Sequence, residues 1–178
     1  QRRERGHHQG LGSVVRTASV QDLRGPHDGE LALEEALLDA AERHRTEHEI
    51  HHVATALARW SRLHGIRLAD TGRHYGLDLD VPPDDPSPSA PATLREKAAE
   101  ALVRRPEAGL LLLHDLRDLN LAATRNSLHW EMLAQAAQAT KGERPLALAT
   151  DCHPQTLRQI RWINTMLKEL SPQLLSST

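Results

Sequence analysis

The chain is poor in cysteine and in aromatic residues. Its 178 residues contain a single cysteine, Cys152, which excludes an internal disulfide and a cysteine-based zinc finger. Phenylalanine is absent, and one tyrosine and three tryptophans supply the remaining aromatic side chains. A core must therefore be built from leucine, alanine, isoleucine and valine, which favours packed helices.

Long apolar runs and an excess of positive charge are also missing. The longest apolar run is 110–113, far short of the roughly 20 residues that a membrane span requires. The 22 basic and 24 acidic side chains give a net charge of -2, which argues against a protein that neutralises a nucleic-acid backbone. The sequence therefore predicts neither a membrane nor a nucleic-acid partner.

The first 27 residues differ in charge and pattern from the rest of the chain. Five of the basic side chains lie there against two acidic ones, so that the remaining residues carry a net charge of -5. The segment has almost no apolar periodicity and lacks the apolar stretch of a secretory signal. We predict a basic mobile arm over 1–27, a helical domain over 28–178 and, because the one cysteine is unpaired, a cytoplasmic location.

The rest of the chain has the periodicity of helices and no alternating strand pattern. A first long helix is predicted from Gly29 to His64, with Gly65 as its stop signal. Later helices are expected at 94–105, at 107–140 and from 143 to about 171. Pro154 predicts a kink or a break in the last of them.

Residues 78–91 form the clearest boundary in the chain. Their sequence, DLDVPPDDPSPSAP, contains five of the ten prolines and predicts an extended segment that crosses between helices. Together with the long helices on either side, this segment predicts an all-α fold, a four-helix bundle with a Pro-rich crossover.

The stretch Ala41–Val53, AERHRTEHEIHHV, holds four histidines and three glutamates. The apolar face of the predicted helix changes sides at this stretch. Two interpretations stay open. Either the helix is buried on both sides, by its own bundle and by another subunit, or it bends near residue 46 and the charged side chains face water.

Glu49 and His52 form a Glu-x-x-His pair, which places a carboxylate and an imidazole on one side of a helix. With Glu42 seven residues earlier, a long crossing segment and two later helices, the chain resembles the ferritin-like family of four-helix bundles over residues 30–171. The resemblance implies an antiparallel bundle with a crossover. It also implies a site for two irons, held by glutamates on two helices and Glu-x-x-His motifs on the other two.

The chain departs from that family in its later helices. No Glu-x-x-His occurs after residue 52, and the predicted core stripe of 107–140 contains Asn126 but no acid. We therefore expect a single transition-metal site, for iron or zinc, rather than a diiron centre. Its predicted ligands are the carboxylates and imidazoles of the first long helix: Glu42, His48, Glu49, His51 and His52.

A second function stays open, a non-catalytic helical module that has lost the metal site and associates with itself or with a protein partner. Enzymatic activity is open as well, although no nucleotide-binding loop or nucleophile motif occurs. Cys152 lies on a predicted apolar stripe, where a buried thiol is expected to be inert. If the histidines are crowded in the interior, stability is expected to fall on acidification.

Overall fold

The computed structural model describes residues 23–83 and 107–176. Within these two ranges the chain forms four helices and no strand, so the predicted all-α class is confirmed for them. The helices are α1 (Arg24–Arg43), α2 (His48–His74), α3 (Ala108–Thr140) and α4 (Glu143–Leu175). The helix predicted at 94–105 and the later part of the predicted crossing segment lie outside the described residues.

Helix α1 begins inside the segment that the sequence pattern assigned to the arm. Residues 24–27 belong to α1, and Pro26 and His27 are buried there, while residues 1–22 lie outside the described part of the chain. None of the helices in the described ranges is long and apolar enough to cross a membrane.

The prediction of a single helix from Gly29 to His64 is wrong, because the chain reverses direction at residues 44–47. Helix α2 runs back along α1 and contains Gly65 in its interior. The apolar positions change sides at this point of the sequence, and folding back buries both sets in one core. The predicted bend near residue 46 is therefore confirmed, as a full reversal. The charged side chains of this stretch face water only in part, because His44 is buried.

The turn between α3 and α4 is tight. Helix α3 ends at Thr140, and Lys141 adopts the left-handed conformation with φ of 56°. The N–H of Gly142 then donates to the carbonyl of Ala137 at 2.8 Å, which satisfies one of the last carbonyls of α3. This turn makes α3 and α4 an antiparallel hairpin.

Helix α4 is longer than predicted. It runs without interruption to Leu175, so the expected break at Pro154 does not occur, and neither does the expected end near 171. Pro154 is exposed. The carbonyl that loses its helical hydrogen bond therefore lies on the solvent side, where water can bond to it.

Contacts between the helices fix their directions. Helix α1 packs against α2 and α3, and α4 packs against the same two helices. Across α1 and α3, Glu30 meets Trp130 and Arg43 meets Asp115, which shows that the two helices are antiparallel. Helices α2 and α4 are antiparallel as well. Helices α1 and α4 therefore run in one direction, and α2 and α3 run in the other.

Because α2 and α3 run in the same direction, the end of α2 and the start of α3 lie at opposite ends of the bundle. Residues 77–83 leave the end of α2 and turn back along it. Leu79 packs against Gly72, and Pro82 packs against Gly65. This extended stretch contains the described part of the predicted crossing segment, and it runs in the direction that a crossing requires.

The hydrophobic core consists of two clusters that follow one another along the bundle. One fills the half near the α1–α2 turn and includes Leu37 and Leu116. The other fills the half near the α3–α4 turn and includes Trp130 and Leu148. A layer of polar side chains lies between them, and this layer is the unusual feature of the interior.

Candidate functional site

The five residues predicted to bind metal lie around the α1–α2 turn, and two of them serve the turn itself. Glu42 lies in the last turn of α1, with Oε1 3.6 Å from Arg45 Nη1. His51 lies in the first turn of α2, and its Nδ1 donates to the carbonyl of Ala41 at 2.8 Å. That carbonyl is one of the four that the end of α1 leaves without a helical partner.

The other three predicted ligands, His48, Glu49 and His52, are exposed at the start of α2. The rings of His48 and His52 are stacked, with centroids 6.4 Å apart. Over residues 23–83 and 107–176, no group of three or more His, Cys, Asp or Glu side chains is placed to hold a metal ion. The structure thus brings together a histidine pair, and metal binding by the five-residue set stays a prediction.

The polar layer receives side chains from all four helices. Six of its members have a relative exposure of 1% or less: Glu30 from α1, Ser61 and His64 from α2, Asn126 from α3, and Thr156 and Gln159 from α4. Burying polar groups costs free energy unless they are hydrogen-bonded. The partners of these side chains therefore decide what the layer does.

Glu30 and His64 form the centre of the polar layer. His64 Nδ1 donates to Glu30 Oε1 at 3.2 Å, and the same oxygen accepts a hydrogen bond from Trp130 Nε1 at 2.8 Å. The other ring nitrogen, His64 Nε2, lies 2.7 Å from Gln155 Oε1. Both ring nitrogens thus face oxygen acceptors, which is the hydrogen-bonding pattern of an imidazolium ion.

The surroundings of His64 shift its pKa strongly. Burial by itself lowers this pKa, because it removes water from the charged ring. Cys152 and the carboxylate of Glu30 raise it by more, so that the pKa of His64 rises from 6.5 to about 10. His64 is therefore charged at neutral pH and forms a buried ion pair with Glu30, in a network that links all four helices.

Cys152 adjoins this ion pair from α4 and is fully buried, so its predicted burial is confirmed. Arg67 Nη1 donates to its sulfur at 3.6 Å, and Arg67 Nη2 donates to Asp151 Oδ2 at 2.7 Å. Arg67 and Asp151 are both exposed. The thiol thus lies beneath a surface ion pair and next to the charged ring of His64.

Several buried polar atoms of the layer have no hydrogen-bond partner among the described residues. They are Glu30 Oε2, Asn126 Nδ2, Thr156 Oγ1 and Gln159 Oε1. Asn126 approaches α1 closely because Gly29 has no side chain, since a Cβ there would lie 2.2 Å from Asn126 Oδ1. Donors and acceptors both occur in this set, so the layer is able to bond small polar species such as water.

The resemblance to ferritin-like bundles implies iron ligands that project inward from all four helices, and the polar layer is the set that projects in this way. Its donors do not fit two irons. Glu30 is the one carboxylate and His64 the one imidazole among its six side chains, and these two bond each other. The members from α3 and α4 are neutral, so the layer lacks the bridging carboxylates of a diiron centre.

Glu30 and His64 were not among the predicted site residues, although the sequence pattern contains a signal for both. Glu30 lies three residues before Leu33, on the apolar stripe of α1, and His64 lies seven residues after Leu57, on the stripe of α2. A polar residue at an apolar position is the mark of a buried polar group. The same reasoning placed Asn126 on a core stripe, where the structure has it buried.

Comparison with known proteins gives no match to this chain, whether with family models, curated proteins or solved structures.

Proposed function

We propose that this chain is a non-catalytic helical association module with a ferritin-like layout. The helix directions support the layout, because two antiparallel hairpins are arranged with α2 parallel to α3, and the ends to be joined lie at opposite ends of the bundle. The donor set of the interior supports a structural centre. Glu30 and His64 neutralise each other, and their network ties the four helices together.

The observation that carries the association is an apolar stripe on the outer side of α3. Leu121, Leu128 and Met132 have relative exposures of 59%, 55% and 67%. At 100° per residue these three positions lie within about 40° of one another, on the side of α3 that faces away from the core. Single exposed apolar residues are common, whereas a row of them along one helix is typical of a contact surface.

The stripe fits a second copy of the same chain. Arg125 lies on the same face between Leu121 and Leu128, and the four positions follow a 4-3-4 spacing that is symmetric about its midpoint. Two α3 helices that pack antiparallel about a two-fold axis at this midpoint place Leu121 near Met132 of the partner subunit. A homodimer through α3 then covers all three apolar side chains.

Sedimentation of the full chain over a series of concentrations tests the homodimer. We expect a concentration-dependent dimer. Leu128→Glu should lower the dimerisation affinity at least about tenfold, because dimer formation would remove water from the charged carboxylate. Leu63→Glu is the matched control, since Leu63 is 54% exposed but lies on α2. The dimer dissociation constant of the Leu63→Glu variant should equal that of the unaltered chain. A monomer at every concentration, or equal weakening by both substitutions, contradicts the proposal.

The stacked pair of His48 and His52 favours a second candidate function, the binding of iron or zinc at the start of α2. Two imidazoles four residues apart lie on one face of a helix and can ligate the same ion, with the exposed Glu49 beside them. Tag-free protein should then bind one zinc ion, and His52→Ala should lose it. His74→Ala, at the exposed far end of α2, is the control. Zinc binding that survives His52→Ala would count against this site.

A further inference from the structure

A cavity opens at the end of the bundle where the α1–α2 turn meets the start of α3 and the end of α4. Its volume is about 320 Å³, which lies at the lower end of the range for small-molecule pockets. Arg43 lines it, and Arg43 lies 13 positions after Glu30 in α1. About 20 Å of helix therefore lie between this cavity and the polar layer, so the cavity is a separate feature.

The wall that α3 and α4 contribute is mostly apolar, and Gln173 is the polar side chain among its described residues. Leu111 and Leu112 line it from α3, and Leu170 and Leu174 line it from α4. Gly109 permits the close approach of the two helices, because a Cβ there would lie 2.5 Å from Leu174 Cδ2. Four leucine side chains around a small cavity suit the alkyl part of a ligand.

The wall that the α1–α2 turn contributes carries Arg43 and His44, and Asp115 fixes both. Arg43 Nη1 donates to the two carboxylate oxygens of Asp115 at 2.7 Å each, and His44 Nε2 donates to Asp115 Oδ2 at 2.7 Å. Burial raises the pKa of Asp115, but the hydrogen bonds from His44 and Arg43 outweigh it and hold the pKa below its ordinary value. Asp115 is thus a stable anchor for the two basic side chains.

Arg43 has donors to spare for a ligand. Its Nε and Nη2 have no partner among the described residues, and its side chain is 36% exposed. The start of α3 adds backbone donors to the same cavity, since the N–H groups of Ala108 and Gly109 have no acceptor inside the helix and no acidic side chain lies in the first turn. Among the described residues that line the cavity, Glu47 is the one carboxylate, and it is exposed.

We infer that this cavity binds a small amphipathic carboxylic acid, with the carboxylate on Arg43 and the start of α3 and the alkyl chain against the leucines. A planar guanidinium matches a carboxylate with paired hydrogen bonds, and a helix start favours an anion. The cavity volume limits the alkyl part to a chain of about eight carbons or fewer.

Calorimetric titration of the full chain with octanoate, octan-1-ol and octylamine tests this inference. The three probes share the alkyl chain and differ in the head group. We expect octanoate to bind at least about tenfold more tightly than either of the other two. Equal affinity for octanoate and octan-1-ol overturns the carboxylate site, and so does the absence of octanoate binding at millimolar concentration.

Two substitutions locate the binding. Arg43→Gln should weaken octanoate at least about tenfold and leave octan-1-ol unchanged, because it removes the partner of the carboxylate alone. Arg73→Gln is the control, since Arg73 pairs with Asp70 at the opposite end of α2. Octanoate binding that Arg43→Gln leaves intact overturns the site, and the thermal midpoint of each variant shows that it is folded. If either variant fails to fold, the comparison of octanoate, octan-1-ol and octylamine on the unaltered chain still tests the site.

Discussion

Two regions of the molecule contain histidine and glutamate, and they differ in the properties that decide chemistry. At the start of α2, His48 and His52 lie among acidic neighbours and are exposed. In the polar layer, His64 is 1% exposed, hydrogen-bonded on both ring nitrogens and charged at neutral pH. The region that is dense in histidine is open to water, whereas the single histidine of the polar layer is buried and paired with a carboxylate.

The difference shows that the burial of a histidine depends on its position relative to the apolar stripe of the helix, and not on how many polar residues surround it in the sequence. His64 continues the buried face of α2, which also contains Leu57 and Leu68. His48 and His52 lie beside the chain reversal and are exposed there, away from the buried face of the helix.

Removing the charge of His64 should have the largest effect. His64→Leu leaves the carboxylate of Glu30 buried without its cation, and loss of one partner of a buried ion pair costs about 3–5 kcal/mol. His52→Ala, in the exposed region, should change the free energy of unfolding by less than about 0.5 kcal/mol. Urea denaturation at pH 7 measures both. Similar losses in the free energy of unfolding for the two variants would show that the buried and the exposed histidines contribute equally to stability.

The free energy of unfolding should fall in alkaline solution. The pKa of His64 is raised from 6.5 to about 10 by folding, so its contribution is complete below pH 6.5 and is lost as the pH rises towards 10. The steepest loss is about 1.4 kcal/mol per pH unit. This direction is opposite to the loss on acidification that crowded histidines would give.

Urea denaturation of the wild type and of the Glu30→Leu/His64→Leu double variant between pH 6 and pH 10 measures this contribution, because the double variant lacks both the imidazole and the buried carboxylate that pairs with it. The difference in stability between them should shrink as the pH rises. Two pH profiles that stay parallel would show that His64 does not titrate with folding in this range.

Replacing both members of the ion pair should be less harmful than replacing His64 alone. Glu30→Leu in the His64→Leu background removes the unpaired buried carboxylate, and we expect it to recover about 2 kcal/mol. Recovery is incomplete, because the indole of Trp130 loses its acceptor. The double variant is measured beside the two single variants, and additive losses would show that Glu30 and His64 are not coupled.

At the start of α2, replacing the half-buried His51 should lower stability slightly more than replacing the exposed His48. His51→Ala removes the hydrogen bond to the carbonyl of Ala41 at the end of α1, which is worth about 1 kcal/mol. His48→Ala removes no such bond and serves as the control. Thermal denaturation should show a midpoint about 2–4 °C lower for His51→Ala. Equal midpoints for the two variants would show that the hydrogen bond of His51 does not stabilise the α1–α2 turn.

The helical class, the α3–α4 turn and most core positions of α3 were predictable, because they follow from the helical period and from stop signals at Lys141 and Gly142. The chain reversal was half predictable. The change of apolar face at Ala41–Val53 is visible in the sequence, but both a bend and a two-sided burial satisfy it locally, and contacts between distant helices decide between them. Helix α4 passes Pro154 for a similar reason, since packing along its buried face outweighs one lost hydrogen bond.

The candidate site was less predictable than the fold. Glu30 and His64 are 34 residues apart in sequence and are joined only when α1 and α2 fold back on each other. Trp130 and Gln155 belong to the other hairpin, so no local spacing in the sequence predicts their contacts with Glu30 and His64. The local Glu-x-x-His spacing of Glu49 and His52, by contrast, is visible in the sequence and lies at the surface.

The imidazole resonances of His64 report whether Glu30 and His64 form a buried ion pair at the middle of the bundle. An NMR titration of the full chain, with His64→Leu used for the assignment, should show its ring doubly protonated at pH 8.5, where an unperturbed imidazole is neutral. A His64 ring that loses its proton near pH 6.5 would contradict a buried ion pair between Glu30 and His64.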